Sequence, residues 1–224
     1  MKIYIGIQAR MTSSRLPGKV LKKINGIPLI EYLLKRLSHL PNSFEIFILT
    51  SNDKSDDPIV NFCEKNKINF FRGSLTNVFS RYKEFLNKKF GQAVIRISAD
   101  SPMIDYKLIE QMTSIFKQSE FDILTNIFPR SFPSGQSVEI ISTKALNYST
   151  TNISLSELEH VTPFFYNNHK KFKIYNLPCP YVHQNLKLSI DEINDFNKFE
   201  RLVKKVGKNF FKLSVKEIMC MWGK

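Results

Sequence analysis

A chain of 224 residues, 42% hydrophobic and with 19 Phe, carries enough apolar mass for one large core, which excludes a disordered chain. No apolar run reaches the roughly 18 residues of a membrane span and no secretory leader precedes the first apolar run; Cys63, Cys179 and Cys220 are scattered and make neither a disulfide framework nor a Cys-x-x-Cys zinc site. The formal charge of +13 admits a polyanionic partner, but the lysines are spread along helix-like segments, so the reading is a cytoplasmic protein without nucleic acid or membrane insertion as its business.

Lys2–Ile7 (KIYIGI) is β-branched and aromatic and predicts a buried first strand. It runs into Gln8–Lys19 (QARMTSSRLPGK), which cannot continue a sheet: Arg10, Arg15 and Lys19 bring three cations, Thr12, Ser13 and Ser14 bring hydroxyls, and Pro17-Gly18 turns the chain. A loop of that chemistry at the carboxyl end of a strand suits a polyphosphate. It is not a P-loop, because Ser13 stands where that motif needs its first Gly and Val20 where it needs Ser or Thr. Asn25-Gly26 within Val20–Ile27 signals a type I′ hairpin, and Pro28 opens a helix striped by Ile30, Leu33, Leu34 and Leu37. Strands at Glu45–Leu49, Ile68–Phe71 and Ala93–Ser98 alternate with helices carrying Ile59, Phe62 and Cys63, then Val78, Tyr82 and Phe85, then Leu108, Met112, Ile115 and Phe116.

Four strand–helix alternations predict an α/β fold with a mostly parallel sheet and helices on both faces. The second half is less regular. Strands are expected at Asp122–Thr125, Val138–Ile141, Phe172–Asn176 and Lys187–Ile190. Helices are expected at Ser156–Asn168, Asp191–Val203 and Ser214–Met221, the first and last with capping boxes Ser154/Glu157 and Ser214/Glu217. The chain reads as one domain, 1–224, with Asn126–Gln184 as an excursion over the ligand edge or at a subunit interface.

Parallel strands deliver their carboxyl ends to one crevice. Besides the first loop, those ends are Thr50, Ser51 and Asn52, suited to a base or ribose, then Arg72-Gly73, then Asp100-Ser101-Pro102. Asp100, with Arg96 and the loop cations nearby, is a natural bridge to a metal.

These segments resemble the cytidylyltransferases that activate acidic sugars, of the CMP-KDO and CMP-sialate synthetase type, with the branch of spore coat polysaccharide biosynthesis protein F closest. QARMTSSRLPGK is similar to the family's signature loop, TSNDKSDDP to its base-proximal segment and GSLTNVFSRY (Gly73–Tyr82) to its Gly-x-x-x-x-Val-x-x-Arg-Tyr element. RISADSPMID (Arg96–Asp105), ELEHVTPFF (Glu157–Phe165) and KLSIDEINDF (Lys187–Phe196) continue the likeness over almost the whole chain. The resemblance implies a three-layer Rossmann-like nucleotidyltransferase fold, CTP and an acidic sugar as substrates, surface polysaccharide biosynthesis, Mg²⁺ as cofactor and a homodimer. It implies that Arg10, Arg15 and Lys19 are catalytic, that Gln8, Ala9, Ser13, Thr50, Ser51, Asn52, Arg72, Gly73 and Arg96 bind the nucleotide, and that Asp100 and Asp191 hold the metal. Ser137, Glu139 and His160 fall to the sugar. One segment departs: FPSGQSVEI has Ser137 where relatives commonly have Asp, a change at the sugar end and not at the nucleotide end.

Two other classes compete. A nucleotide-sugar-dependent glycosyltransferase shares this kind of sheet, but the Arg/Lys-rich loop suits a triphosphate better. A noncatalytic nucleotide- or RNA-binding module explains the charge but not paired carboxylates. For the pair, the expectation is that Asp100 and Asp191 end neighbouring strands and repel each other without metal, so that Asp→Asn slightly stabilises the metal-free protein. The rival role for Asp191 is a helix cap.

Overall fold

The computed structural model describes residues 1–148, 153–180 and 186–223. In chain order these form β1 (Ile3–Gln8), the hairpin β2 (Lys23–Ile24) and β3 (Ile27–Pro28), α1 (Leu29–Leu37), β4 (Glu45–Ser51), α2 (Asp57–Lys65), β5 (Phe70–Gly73), α3 (Val78–Lys89), β6 (Ala93–Ser98) and α4 (Tyr106–Lys117). Then come β7 (Ile123–Thr125), β8 (Glu139–Ser142), α5 (Thr143–Leu146), α6 (Leu155–His160), α7 (Pro163–Asn167), β9 (Ile174–Asn176), α8 (Ile193–Val206) and α9 (Val215–Trp222). The hairpin turn has both Asn25 and Gly26 at positive φ, as a type I′ turn requires.

The main sheet runs β5-β4-β1-β6-β8-β7-β9. β5, β4, β1 and β6 are mutually parallel, β8 is antiparallel to both β6 and β7, and β9 is parallel to β7. Alternation along the strands assigns the two faces. Ile3, Ile5 and Ile7 of β1 share a cluster with Leu33 and Leu37 of α1, Ile59 of α2 and Ile109 and Met112 of α4. Tyr4 of β1 and Val94 of β6 pack instead with Tyr82, Phe85 and Leu86 of α3 and Phe164 and Phe165 of α7. Burying each such side chain contributes about 1.5–3 kcal/mol, so the sheet is held from both sides. A third cluster lies outside this sandwich. There α8, α9 and the 3₁₀ segment Gly207–Lys212 between them bring Phe196, Phe199, Phe210, Ile218 and Trp222 against Tyr32 of α1, together with Leu188 and Ile190.

Three sequence expectations change. The helix Ser156–Asn168 is two short helices, because Val161 takes φ 70° and Pro163 restarts the chain as the first residue of α7. The capping box of Ser154 and Glu157 is present. The strand expected at Lys187–Ile190 is an extended strip outside the main sheet, with a parallel bridge of Lys187 to Ser134. Its hydrogen bonds run from Leu188 N to Ser134 O and from Ile190 N to Asp100 O. Finally, α8 begins at Ile193 with Glu192 as its N-cap and Asp195 completing a capping box, so Asp191 does not cap it. Residues 126–184, expected as an excursion, add β8 and β9 to the sheet and α6 and α7 above it; residues 149–152 and 181–184 of that stretch lie outside the described residues.

Gly135 is what lets the strip dock. It sits at φ +89°, and a Cβ there would lie 2.5 Å from the Leu188 carbonyl carbon, so a side chain would displace Leu188–Ile190.

The C-terminal cluster is fastened to the sandwich by a fully buried cation. Arg36 of α1 donates from Nε to Ile104 O, from Nη1 to Phe210 O and from Nη2 to Leu213 O, each at 2.9 Å. Burial pushes this guanidinium down to about 10, and three carbonyls keep its charge hydrogen-bonded. Arg36→Leu is expected to cost about 3 kcal/mol or more in urea unfolding, because it strands three buried acceptors. Lys35→Ala, one residue away, loses a surface pair with Glu31 and a position over the Phe211 ring, and is expected to cost no more than about 1 kcal/mol.

Candidate active site

The carboxyl ends of β1 and β6 open into a cleft of about 240 Å³ lined by Gln8, Ala9, Arg10, Ser13, Ser14, Arg15, Lys19, Val20, Arg96, Ser98, Ala99, Asp100, His160 and Asp191. The first loop is folded by its own backbone: Ser13 N and Gly18 N both donate to Met11 O at 2.9 Å, and a 3₁₀ turn at Lys19–Leu21 starts from Gly18 in the left-handed region. That turn carries Lys19 inward, where it is only 7% exposed.

Lys19 Nζ is the convergence point of the cleft. It donates to Asp100 Oδ2 at 2.7 Å, to Ile190 O at 2.8 Å and to Asp191 Oδ1 at 3.2 Å. Asp100 and Asp191 therefore meet, although Asp191 arrives on the extended strip and not from a neighbouring strand. Their mutual repulsion is offset by the ammonium between them, which reverses the expectation that replacing one by Asn would stabilise the metal-free protein. Burial by itself would raise the Asp191 carboxyl, but Lys19, with help from Ser189 and Lys187, holds it below its ordinary value.

The other cations of the cleft are also matched. Arg10 pairs with Glu159 at 2.9 Å, and Arg15 with Asp191 at 3.1 Å and Glu192 at 3.6 Å. Arg10 and Arg15 side chains are 39% and 57% exposed against 9% for Lys19, so the first two are free to swing and the third is not. Arg96 bonds Gln8 Oε1 at 3.1 Å and forms a close ion pair with Glu139, which itself accepts from Tyr166 Oη at 2.6 Å. Burial would lower the Arg96 guanidinium, but Glu139 outweighs that and raises it. Among the described residues Arg96 Nε is buried with no partner, a donor left over in a group that lines the cleft.

Several residues nominated from the sequence lie elsewhere. Thr50, Ser51, Asn52, Arg72 and Gly73 do not line this cleft. Thr50 and Ser51 are fully buried, and Ser51 hydroxyl donates to Asp56, while Asn52 is exposed with its N–H on Gly73 O. Arg72 is committed to the Ser51 and Asp53 carbonyls and to Asp57. A Cβ on Gly73 would meet Arg81 Cγ at 2.8 Å, so that glycine serves a packing contact. Glu139 is fully buried behind Arg96, and Ser137 is half-buried with its hydroxyl on Arg130. His160 comes to the cleft on α6 beside Glu159.

Sequence reasoning missed Asp56 and Glu159. Asp56, fully buried, accepts from Met11 N at 2.7 Å and from Ser51 N at 3.1 Å, and so ties the first loop to the end of β4. Its place in the polar run Asp53–Asp57 looked like a helix start, and nothing in the spacing distinguished it from Asp53 or Asp57. Among the described residues no cluster of three or more His, Cys, Asp or Glu could hold a metal; the oxygen donors that converge are two carboxylates and the Ile190 carbonyl. Among those residues, too, no helix is long and apolar enough to cross a membrane.

The chain is similar to known proteins over almost its whole length. A cytidylyltransferase family model matches residues 4–217. Spore coat polysaccharide biosynthesis protein SpsF of Bacillus subtilis is 28% identical over 212 residues, covering 90% of this chain and 86% of its own. The 3-deoxy-manno-octulosonate cytidylyltransferase 2 of Hydrogenovibrio crunogenus is 25% identical over 210 residues, covering 90% and 85%. The solved structure of a cytidylyltransferase from Leptospira borgpetersenii superposes with a TM-score of 0.90 at 28% identity, covering 97% of this chain and 92% of that one. The loop that ends in Lys19, the strand ends around it and the near-complete coverage place the chain in the cytidylyltransferase family, with nucleotidyl transfer as its class of reaction.

Proposed function

We propose that the protein transfers CMP from CTP to an acidic sugar, nonulosonic or KDO-like, with release of pyrophosphate, in surface polysaccharide biosynthesis. The observation that carries this reading is the meeting of Asp100, Asp191 and Lys19 at the floor of a cleft whose rim is the Arg10–Arg15 loop. The names of the Hydrogenovibrio and Bacillus relatives support the acceptor class and the setting. In the reaction, a sugar hydroxyl oxygen attacks the α-phosphorus in line, its proton leaves to solvent, and the bond to the β-phosphate oxygen breaks. Positioning and charge neutralisation carry most of such a transfer.

The differing exposure of the three loop cations supports a different task for each. Arg10 and Arg15 exchange Glu159, Asp191 and Glu192 for the β- and γ-phosphates, an exchange of one anion for another at half-exposed groups. Lys19 stays and positions the carboxylates. The unpaired Arg96 Nε offers a further hydrogen bond to a ligand oxygen. Asp100 and Asp191 are hard oxygen donors of the kind Mg²⁺ takes, one or two carboxylates completed by phosphate and water, so they fit that ion. Bound there, Mg²⁺ would supply neutralisation of phosphate charge, and Lys19 would have to release part of its hold on the two carboxylates. The cytoplasmic setting and the homodimer belong to the same proposal.

Pyrophosphate release, measured with each of the four nucleoside triphosphates against 3-deoxy-manno-octulosonate and N-acetylneuraminate, tests the reading. Turnover is expected with CTP and an acid; equal rates with purine triphosphates, or turnover only with neutral sugars, would overturn it. Arg15→Ala is expected to lower turnover while moving stability by no more than about 0.5 kcal/mol, since an exposed loop cation adds little to the fold. Lys19→Met is expected to lower turnover roughly 100-fold or more. The same variant should lose melting temperature in chelator and regain it with magnesium chloride, by a larger margin than wild type. Melting that is indifferent to magnesium in Lys19→Met would remove the ion from the carboxylate pair.

A further inference from the structure

Cations that are spread along the sequence gather on one surface near the carboxyl end. Between Lys198 and Lys216 the chain has seven cations and one acid, and that acid, Glu200, is spent on Lys204 at 3.1 Å. Arg201, Lys205, Lys208, Lys212 and Lys216 are exposed and form no ion pair among the described residues. In the active cleft, by contrast, Arg10, Arg15, Lys19 and Arg96 each meet a carboxylate. Unmatched like charges on one surface repel each other, and an anionic partner removes that cost.

The last two helices arrange these cations. Lys198, Arg201 and Lys205 recur along α8 at helical spacing, which puts them on one face. Lys208 and Lys212 follow on the 3₁₀ segment, and Lys216 on α9. Between α8 and α9 lies a groove of about 710 Å³ whose walls include Lys205, Val206, Lys216, Cys220 and Met221. A smaller groove of about 180 Å³ is lined by Lys198, Arg201, Leu202, Lys205, Met221 and Trp222. The two share Lys205 and Met221, so cations of both helices stand around one apolar strip, where Met221 is 39% exposed. The carboxylate of the larger groove, Glu217, is spent in the capping box with Ser214. None of these residues lines the active cleft. α8 starts beside that cleft, and its 14 residues carry its last turn roughly 20 Å from there.

The make-up of the patch selects its partner. Four of the five unpaired cations are lysines, flexible point charges that suit a diffuse anionic surface. Fixed acceptor pairs on a peptide or a nucleic acid favour the planar fork of arginine instead. Nor do these residues offer an aromatic face for bases to stack on. Trp222 is 4% exposed with the Lys198 ammonium 4.9 Å from its ring centroid, and Phe211 is stacked on Tyr32. Long lysine stems beside an exposed thioether let the cations reach headgroups while apolar carbon settles at the interface.

We propose that the α8–α9 face docks peripherally, without insertion, on the anionic surface of a lipid bilayer. The attraction is mainly electrostatic, with each lysine or arginine at the surface strengthening binding about fivefold. Met221 and its apolar neighbours add a contact at the level of the headgroups.

Vesicle flotation with the full chain tests this. The vesicles are phosphatidylcholine alone, and phosphatidylcholine with about one-third phosphatidylglycerol. Wild type is expected to float with the anionic vesicles and not the neutral ones, and to be released when salt rises from about 0.1 M to about 0.5 M. Arg201→Ala, Lys205→Ala and Lys216→Ala combined should weaken binding about 100-fold. Arg201→Lys, Lys205→Arg and Lys216→Arg combined, which keep the charges, should bind as wild type does. Lys65, Lys88 and Lys117 are exposed on α2, α3 and α4. Replacing those three by Ala removes the same net charge elsewhere and should weaken binding less than about fivefold. No binding to the anionic vesicles, an equal loss in the Lys65, Lys88 and Lys117 variant, or tighter binding to polyuridylate or polyglutamate than to the vesicles overturns the proposal.

Discussion

One ammonium group holds the two ends of this molecule together. Lys19 Nζ lies on Asp100, on the Ile190 carbonyl and on Asp191, joining the loop after β1, the loop after β6 and the strip before α8 at a single point. A partly buried carboxylate pair without a cation would drive these segments apart. With Lys19 in place the charges are matched, and Asp191 stays ionised despite its burial. The cleft is the space left around this junction, so the electrostatics that keep the metal-free fold intact and those that would serve a triphosphate come from the same side chains.

A polar row leads from the cleft wall, at Gln8 and Arg96, into the sheet. Gln8, Arg96, Glu139, Tyr166 and Thr125 form a continuous hydrogen-bonded row across β1, β6, β8 and β7, closed from above by α7. Burial, with Glu139 beside it, pushes the Tyr166 phenol up, so it remains a neutral donor to that carboxylate. A hydrogen-bonded polar row of this kind, with Arg96 Nε left over among the described residues, fixes side-chain positions more sharply than an apolar wall. It explains why Glu139 supports the site without lining it.

The parallel half of the fold was legible because each strand there is a short apolar run and each helix a 3.6-residue stripe. Ala93–Ser98, for example, was read with the bounds the structure gives it. The second half was not, for identifiable reasons. Lys187–Ile190 alternates like a strand, yet it pairs with the turn around Ser134 and with Asp100, partners that no local pattern announces. Val161 lies inside a helix-like stripe, and only the fold shows that its positive φ ends α6. At the site, Arg10, Arg15, Lys19, Asp100 and Asp191 stood out as charges at strand ends. Asp56 and Glu159 did not, because a carboxylate whose purpose is to hold a loop has no distinguishing spacing. Ser51 and Arg72 had the composition of a binding loop but spend it on their own segment, on Asp56, Asp57 and backbone carbonyls, and Thr50 is buried beneath them.

Asp191 lies 172 residues after the lysine it meets, and its strip docks only where Gly135 leaves room. Synthesis from the amino end therefore delivers β1, the cation-rich loop and most of the sheet long before the second carboxylate leaves the ribosome. The pairings of β5-β4-β1-β6 involve residues up to 98, and Asp100 follows two residues later, so the partner that meets Lys19 from the far end of the chain is the last to be made. The order of translation thus delivers the residues of the parallel sheet well before the second of the two carboxylates that meet Lys19.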